Sequence, residues 1–268
     1  MRFRLTALVL TACVLPLASC SPETREAKQQ RSSCDRGDPG ACNLFALRLI
    51  KGDHVLRDPR SAATLLERAC SGGVADGCAQ LGTMYQTAQG VNADTARAAQ
   101  FYQQACTGGA LSGCSHLGSL HTSGVGVAKD SARAQQLFTR ACAGDEMLGC
   151  TELAALYAFG DSAQRNYGES ARLFSKACDQ KIRRACVGLG RLYAGGQGVE
   201  RNETRAAELF RQACYVDGEG DVAEGCFQLA ALYANGRGVS QDVDSAAFLT
   251  RRACNLGYQA ACRQRSET

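Results

Sequence analysis

Sixteen cysteines give this 268-residue chain its clearest capacity for chemistry. All but Cys13 and Cys20 fall into pairs that recur along the sequence. Cys34, Cys70, Cys106, Cys142, Cys178 and Cys214 follow one another at intervals of 36 residues, and Cys254 comes 40 after the last of them. Cys42, Cys78, Cys114, Cys150, Cys186 and Cys262 each lie 8 positions after a first cysteine, while Cys226 lies 12 after Cys214. Thiols can hold zinc, attack a substrate or form disulfides. Structural zinc sites favour cysteines about two to four residues apart, a spacing absent here. A nucleophile needs a free thiolate. The ladder instead points to Cys34–Cys42, Cys70–Cys78, Cys106–Cys114, Cys142–Cys150, Cys178–Cys186, Cys214–Cys226 and Cys254–Cys262, formed in an oxidising compartment.

Other catalytic chemistry finds little material. The histidines are His54, His116 and His121, with no HxH or HExxH spacing for a metallo-hydrolase. No serine is followed three residues later by lysine, so the nucleophile motif of the serine β-lactamases is missing. A fixed period of this length marks a repeat array of small supersecondary units. Catalysis, a cofactor and a bound metal are therefore not expected.

The N-terminus reads as a processing signal over residues 1–19. Arg2 and Arg4 precede an apolar stretch from Leu5 to Leu15 that is too short to span a bilayer. Leu17-Ala18-Ser19-Cys20 then resembles the lipobox of bacterial lipoproteins. That resemblance implies cleavage before Cys20, diacylglycerol on its sulfur and an envelope location. Ser21 in place of Asp resembles an outer-membrane sorting signal. Each buried methylene of a lipid contributes about 0.8 kcal/mol, so two or three chains anchor firmly. Residues 20–33 carry few core-forming side chains and are expected to be a flexible tether. Arg2 and Arg4 supply half of the formal charge of +4. The near balance that remains leaves no footprint for nucleic acid.

Between the cysteines the sequence alternates two helical patterns. Leu81, Leu117, Leu153, Leu189 and Leu229 stand three after the second cysteine, each followed by Gly or Ala, with an aromatic residue such as Tyr85 or Tyr157 four further on. These spacings give one face of a helix, here called A. His121 takes the aromatic position and is expected to pack. Turns such as Gly124-Val125-Gly126-Val127 and Gly196-Gln197-Gly198-Val199 end helix A. Asp58, Asp94, Asp130, Asn166, Asn202 and Asp242 then stand where an N-cap would open a second helix, B, which ends at Ala-Cys. A disulfide would join the end of B to the start of the next A. Closing about nine residues restricts the unfolded chain by roughly 2.5 kcal/mol in the entropy model.

The Leu-Gly-x-x-Tyr helix, the GxGV turn and the Asp-x-x-x-Ala helix ending in Ala-Cys resemble Sel1-like repeats, relatives of the tetratricopeptide repeat. The paired cysteines resemble the branch known from the Helicobacter cysteine-rich proteins. The resemblance implies an all-α, right-handed superhelical solenoid of antiparallel helix pairs, with helix A lining the concave face. The units read as 34–69, 70–105, 106–141, 142–177, 178–213 and 214–253, with a C-terminal cap at 254–268. The first unit lacks the turn glycines, the fourth departs from GxGV, and the sixth carries an insertion between Tyr215 and Gly225.

Helix-A positions on the expected concave face include Gln80, Thr83, His116, Ser119, Glu152, Arg191, Gln228 and Asn235. They are polar and diverse while the core positions barely vary. Such a stripe fits a groove for envelope proteins or peptides, used by a monomer that acts as adaptor or scaffold. Peptidoglycan strands are an alternative ligand, though few aromatic residues are available to stack on sugars. The cysteine-rich relatives also imply penicillin binding or weak β-lactamase activity, for which the motifs above give no support.

Overall fold

The structure, a computed structural model, describes residues 23–160, 165–214 and 223–266. Among these the regular structure is entirely helical. The helices are α1 (Arg25–Asp35), α2 (Pro39–Lys51), α3 (Pro59–Ser71), α4 (Ala75–Thr87), α5 (Thr95–Thr107), α6 (Leu111–Ser123), α7 (Ser131–Ala143), α8 (Met147–Phe159), α9 (Tyr167–Asp179), α10 (Arg183–Gly195), α11 (Glu203–Cys214), α12 (Ala223–Asn235), α13 (Val243–Asn255) and α14 (Gln259–Ser266). Even-numbered helices are of type A and odd-numbered ones of type B.

The expected polar caps form. Asp94 and Asp130 accept from the amides of Arg97 and Arg133 at 2.9 and 2.8 Å, and Asn202 accepts from Arg205 at 2.8 Å. Asp58, Asn166 and Asp242 do the same for α3, α9 and α13. Each contact satisfies an amide that the first helical turn leaves unpaired.

The two turn glycines have different tasks. Gly124, Gly196 and Gly236 are left-handed, with φ of 73°, 66° and 62°. The second glycine is also positive in φ, but there the backbone of the preceding repeat comes close. A Cβ at Gly198 would lie 2.3 Å from the carbonyl carbon of Tyr167, and one at Gly238 would lie 2.2 Å from that of Glu203. These turns therefore press each repeat onto the start of the previous helix B. The first repeat keeps the geometry despite its sequence, with Gly52 at φ 73° and His54 at φ 56°. The fourth departs from it, because Gly160 is extended at φ −73° and ψ −170°.

Disulfides join the end of each B helix to the first turn of the next A helix. The seven expected pairs all form, with Cα–Cα distances of 4.5–4.8 Å. Most of their cysteines are buried. Beside them helices pack at alanine and glycine: a Cβ at Gly113 would lie 2.5 Å from that of Ala105, and one at Gly149 equally close to that of Ala141. Consecutive A helices touch along the array, α4 with α6, α6 with α8, α8 with α10 and α10 with α12, whereas no comparable contact joins consecutive B helices. The A helices thus occupy the inner side of the curve.

The tether expected over residues 20–33 is corrected from Arg25 onward. Thr24 caps α1 by accepting from Ala27 N at 3.2 Å, and Ala27 is buried. Arg48 reaches back to Glu26 at 2.9 Å and to Gln30 at 2.7 Å, while Arg68 donates to the carbonyl of Cys34 at 2.6 Å. Polar side chains that point to neighbours, rather than a wide apolar face, hold this helix. It serves as the B helix of an incomplete repeat ahead of α2. The signal segment, Cys20 and most of the insertion after Tyr215 lie outside the described residues.

Candidate functional site

The concave face divides into a closed part and an open part. Tyr102 is the centre of the closed part. A Cβ at Gly82 would sit 2.7 Å from its ring, so only glycine admits the ring at that place. Its hydroxyl donates to Gln86 Oε1 at 2.7 Å and lies 3.2 Å from Thr83 Oγ1. Burial pushes the phenol above its ordinary pKa. His116 covers the ring from the next repeat, with centroids 4.9 Å apart. Burial also pushes the imidazole below its ordinary pKa, an effect that Glu146 partly opposes. Ser119 donates to the carbonyl of Ser115 at 3.1 Å. Thr83, His116 and Ser119 are therefore occupied by internal contacts. Gln80 alone of these early positions is exposed.

The open part lies over α8, α10 and the start of α12. Here a groove of about 530 Å³ has Glu152, Ala155 and Phe159 on one side and Arg184, Val187 and Arg191 on the other. Phe174 lies in its lining, and Glu224 and Tyr258 close one end. Glu152 pairs with Arg184 at 3.1 Å, and Arg191 pairs with Glu224 at 3.3 Å. The guanidinium of Arg191 also lies 4.3 Å from the centroid of Phe159, a cation–π contact. A neighbouring hollow of about 560 Å³ shares Glu152, Ala155 and Phe159 and adds Lys129 and Arg165.

Glu152 and Arg191 thus line the same groove. Gln228 and Asn235 line neither hollow, and Asn235 donates to the carbonyl of Ala231 at 2.7 Å. Several residues that matter here did not stand out from sequence. Arg184 and Glu224 complete the ion pairs, and Glu146 caps α8 by accepting from Leu148 and Gly149. Glu146 also accepts from Ser115 Oγ, tying that cap to the preceding repeat. Gly188 and Phe174 shape the groove itself. At the register where His116 covers Tyr102, α10 carries only hydrogen. A Cβ on Gly188 would lie 2.5 Å from Phe174 Cζ. The aromatic residues of the neighbouring B helices lean on Gly118 and Gly190 instead, where a Cβ would stand 2.6 Å from Phe138 and from Phe210. Ala154 stands at the corresponding position of α8, and Phe174 lies against Gly188.

The histidines have separate partners. His54 lies 3.6 Å from Asp53, and His121 Nδ1 lies 3.1 Å from the carbonyl of Ala128. Half-buried His121 thus combines packing with a polar contact. Among the described residues no group of three or more His, Cys, Asp or Glu could hold a metal ion.

Stacked helix pairs with a lined inner face define a helical-repeat scaffold. The Sel1 repeat matches residues 39–74, 75–109, 111–146, 148–181, 183–215 and 223–258, so the chain belongs to the Sel1 repeat family. These units begin at helix A, and each disulfide therefore sits at a junction. The chain is similar to c5321, a protective antigen of uropathogenic Escherichia coli with an SLR fold, at 28% identity and a TM-score of 0.70. That match covers 88% of this chain and 50% of the other, so the present chain spans half the length of c5321. A Sel1 repeat protein from Oxalobacter formigenes shares the fold at 20% identity and a TM-score of 0.72, covering 86% of this chain and 99% of that one. Helicobacter pylori cysteine-rich protein B matches at 27% identity and a TM-score of 0.39, over 48% of this chain and 96% of its own. No curated protein sequence matches.

Sel1 repeat proteins are in general scaffolds for protein interaction, and the match indicates no catalytic family. The many disulfides point to an oxidising, extracytoplasmic setting. Among the described residues no helix is long and apolar enough to cross a membrane.

Proposed function

We propose that this chain is a lipid-anchored adaptor of the bacterial envelope that recruits a protein or peptide partner through its concave helix-A face. The observation carrying this reading is the open groove over α8, α10 and α12. Its apolar floor and flanking charges offer both contact area and orientation. Helix B and the junction disulfides supply a scaffold that varies little between repeats, so the A-face side chains can differ without loss of fold.

Anchoring at Cys20 rests on Leu17-Ala18-Ser19-Cys20 and on the cysteine pairing, and an outer-membrane address rests on Ser21. The helix beginning at Arg25 leaves a short stem. Five residues reach at most roughly 18 Å when extended, which would hold the solenoid close to the bilayer. Mass spectrometry of the N-terminal peptide should find diacylglycerol on Cys20, and Cys20→Ser should release the protein from membranes. An unmodified cysteine in a membrane-free fraction would remove the anchor from this reading.

The partner is approached by crosslinking the full-length protein in its own envelope. One reproducible protein, lost when Glu152 and Arg191 are truncated while helicity is retained, is the expected result. Recovery of cell-wall fragments alone would replace the adaptor with a peptidoglycan scaffold.

A further inference from the structure

The geometry points to an acidic–apolar ligand class for the open groove: we propose that it takes an extended peptide segment in which an apolar side chain neighbours a carboxylate. This deepens, and rests on, the adaptor reading of the concave face. The apolar half of the recognition is formed by Phe159 and Leu256, 44% and 42% exposed, which line the groove beside the buried ring of Phe174. Glycine at 188 lets the ring of Phe174 pack directly against α10, where His116 stacks on Tyr102 one pair of repeats earlier. Phe174 Cζ comes so near that even a methyl group at 188 would displace it. Ala155 and Val187 extend the apolar floor. A side chain lying there would meet rings and methyl groups rather than water.

The charged half follows from which member of each ion pair faces solvent. The side chain of Glu152 is 18% exposed and that of its partner Arg184 is 66% exposed. Glu224 and Arg191 repeat the asymmetry at 31% and 44%. The carboxylates are the covered partners and the guanidinium groups the outer ones. An incoming chain therefore meets cations first. Each guanidinium has more N–H donors than its one carboxylate contact uses, so it can accept a second carboxylate without giving up the first. Lys129 and Arg165 in the adjoining hollow add positive charge along the same line, with Glu152 as the only acidic residue among its described lining. Among the described residues a basic peptide would meet four cations against two carboxylates.

The test uses the detergent-solubilised full chain and a display library of random linear peptides. Selection should enrich sequences that place Asp or Glu beside Phe, Leu or Met. A fluorescent peptide of the enriched sequence should bind at least about tenfold more weakly to an Arg184→Glu, Arg191→Glu double variant, since each lost charged hydrogen bond matters on that scale. Both side chains are exposed, so circular dichroism should show unchanged helicity. Phe159→Ser should weaken the same peptide by removing the exposed ring that its apolar side chain packs on, and the charge-reversed protein keeps the test open if that variant folds poorly. Enrichment of basic sequences, or acidic binding untouched by the double variant, overturns the proposal. Binding that responds instead to substitution of Gln80 or Thr83 would leave the adaptor reading standing and move its site to the early repeats. Enrichment of no peptide would overturn both.

Discussion

The second and third repeats and the fourth to sixth repeats are built alike but present opposite inner surfaces. In both, an aromatic residue of helix B reaches through the A layer toward the concave side. Tyr102 arrives with a hydroxyl that Gln86 satisfies and with His116 stacked across its face. Phe174 arrives with no polar atom, and its neighbour Gly188 has no side chain to lay over it. Backbone, caps and disulfides are shared, so the difference resides in one or two groove-facing positions. Recognition in this array is set by local departures from the repeat rather than by the repeat itself.

The comparison is tested most forcefully at the two rings. Tyr102→Ala and Phe174→Ala should each destabilise by about 3–5 kcal/mol, because both remove a buried aromatic side chain and leave a cavity. Chemical denaturation should show similar losses, while only the Phe174 variant should change ligand binding. If Tyr102→Ala alters binding equally, the closed face is not closed. Next come the caps. Asp94→Ala and Asn166→Ala should each cost about 1 kcal/mol, one in either region. A clearly unequal pair of unfolding midpoints would show that the scaffolds differ as well as the surfaces.

A smaller effect separates the regions by pH. The folded-state pKa of His116 is depressed below 6.5 by burial. The unfolded chain therefore takes up a proton first as pH falls. The stability gained from neutral His116 is present above pH about 6.5 and is lost as pH falls toward the folded value. Wild type should lose stability over this window relative to His116→Gln, and the Phe174 region should add no comparable term. Parallel pH profiles for the two proteins would remove the imidazole from the account. The least change is expected at the groove pairs. Arg191→Ala should alter stability by at most about 1 kcal/mol, since exposed ion pairs contribute little, yet it should weaken the ligand.

Much of the scaffold was legible in the sequence because it depends on local chemistry. The 36-residue ladder of Cys34 to Cys214, the aspartate caps and the turn glycines each act over a few residues. The helix α1 was hidden because its two buried residues, Ala27 and Cys34, are too few to mark an apolar face. It is held by the Cys34–Cys42 disulfide and by Arg48 and Arg68, which lie in later helices. The groove was half legible. Glu152 and Arg191 stood among the helix-A positions that the family resemblance put on the concave face. Gly188 could have been noticed by aligning it with Gln80, His116 and Glu152, but its effect requires knowing that Phe174 leans toward it. The turn at Gly52 and His54 escaped for a related reason, as a non-glycine residue there adopts the left-handed conformation.

The placement of the disulfides has a mechanical consequence. Every bridge closes a junction between units, from the end of one B helix to the first turn of the next A helix. None fastens an A helix to its own B helix. A pull on the two ends would therefore find the junctions inextensible and the units themselves yielding. Each unit could open as a separate hairpin while its neighbours kept their register, so the oxidised array would pay out length in steps of one repeat. Tension would then unfold the concave face piece by piece, with the covalent hinges still holding the order of the units for refolding.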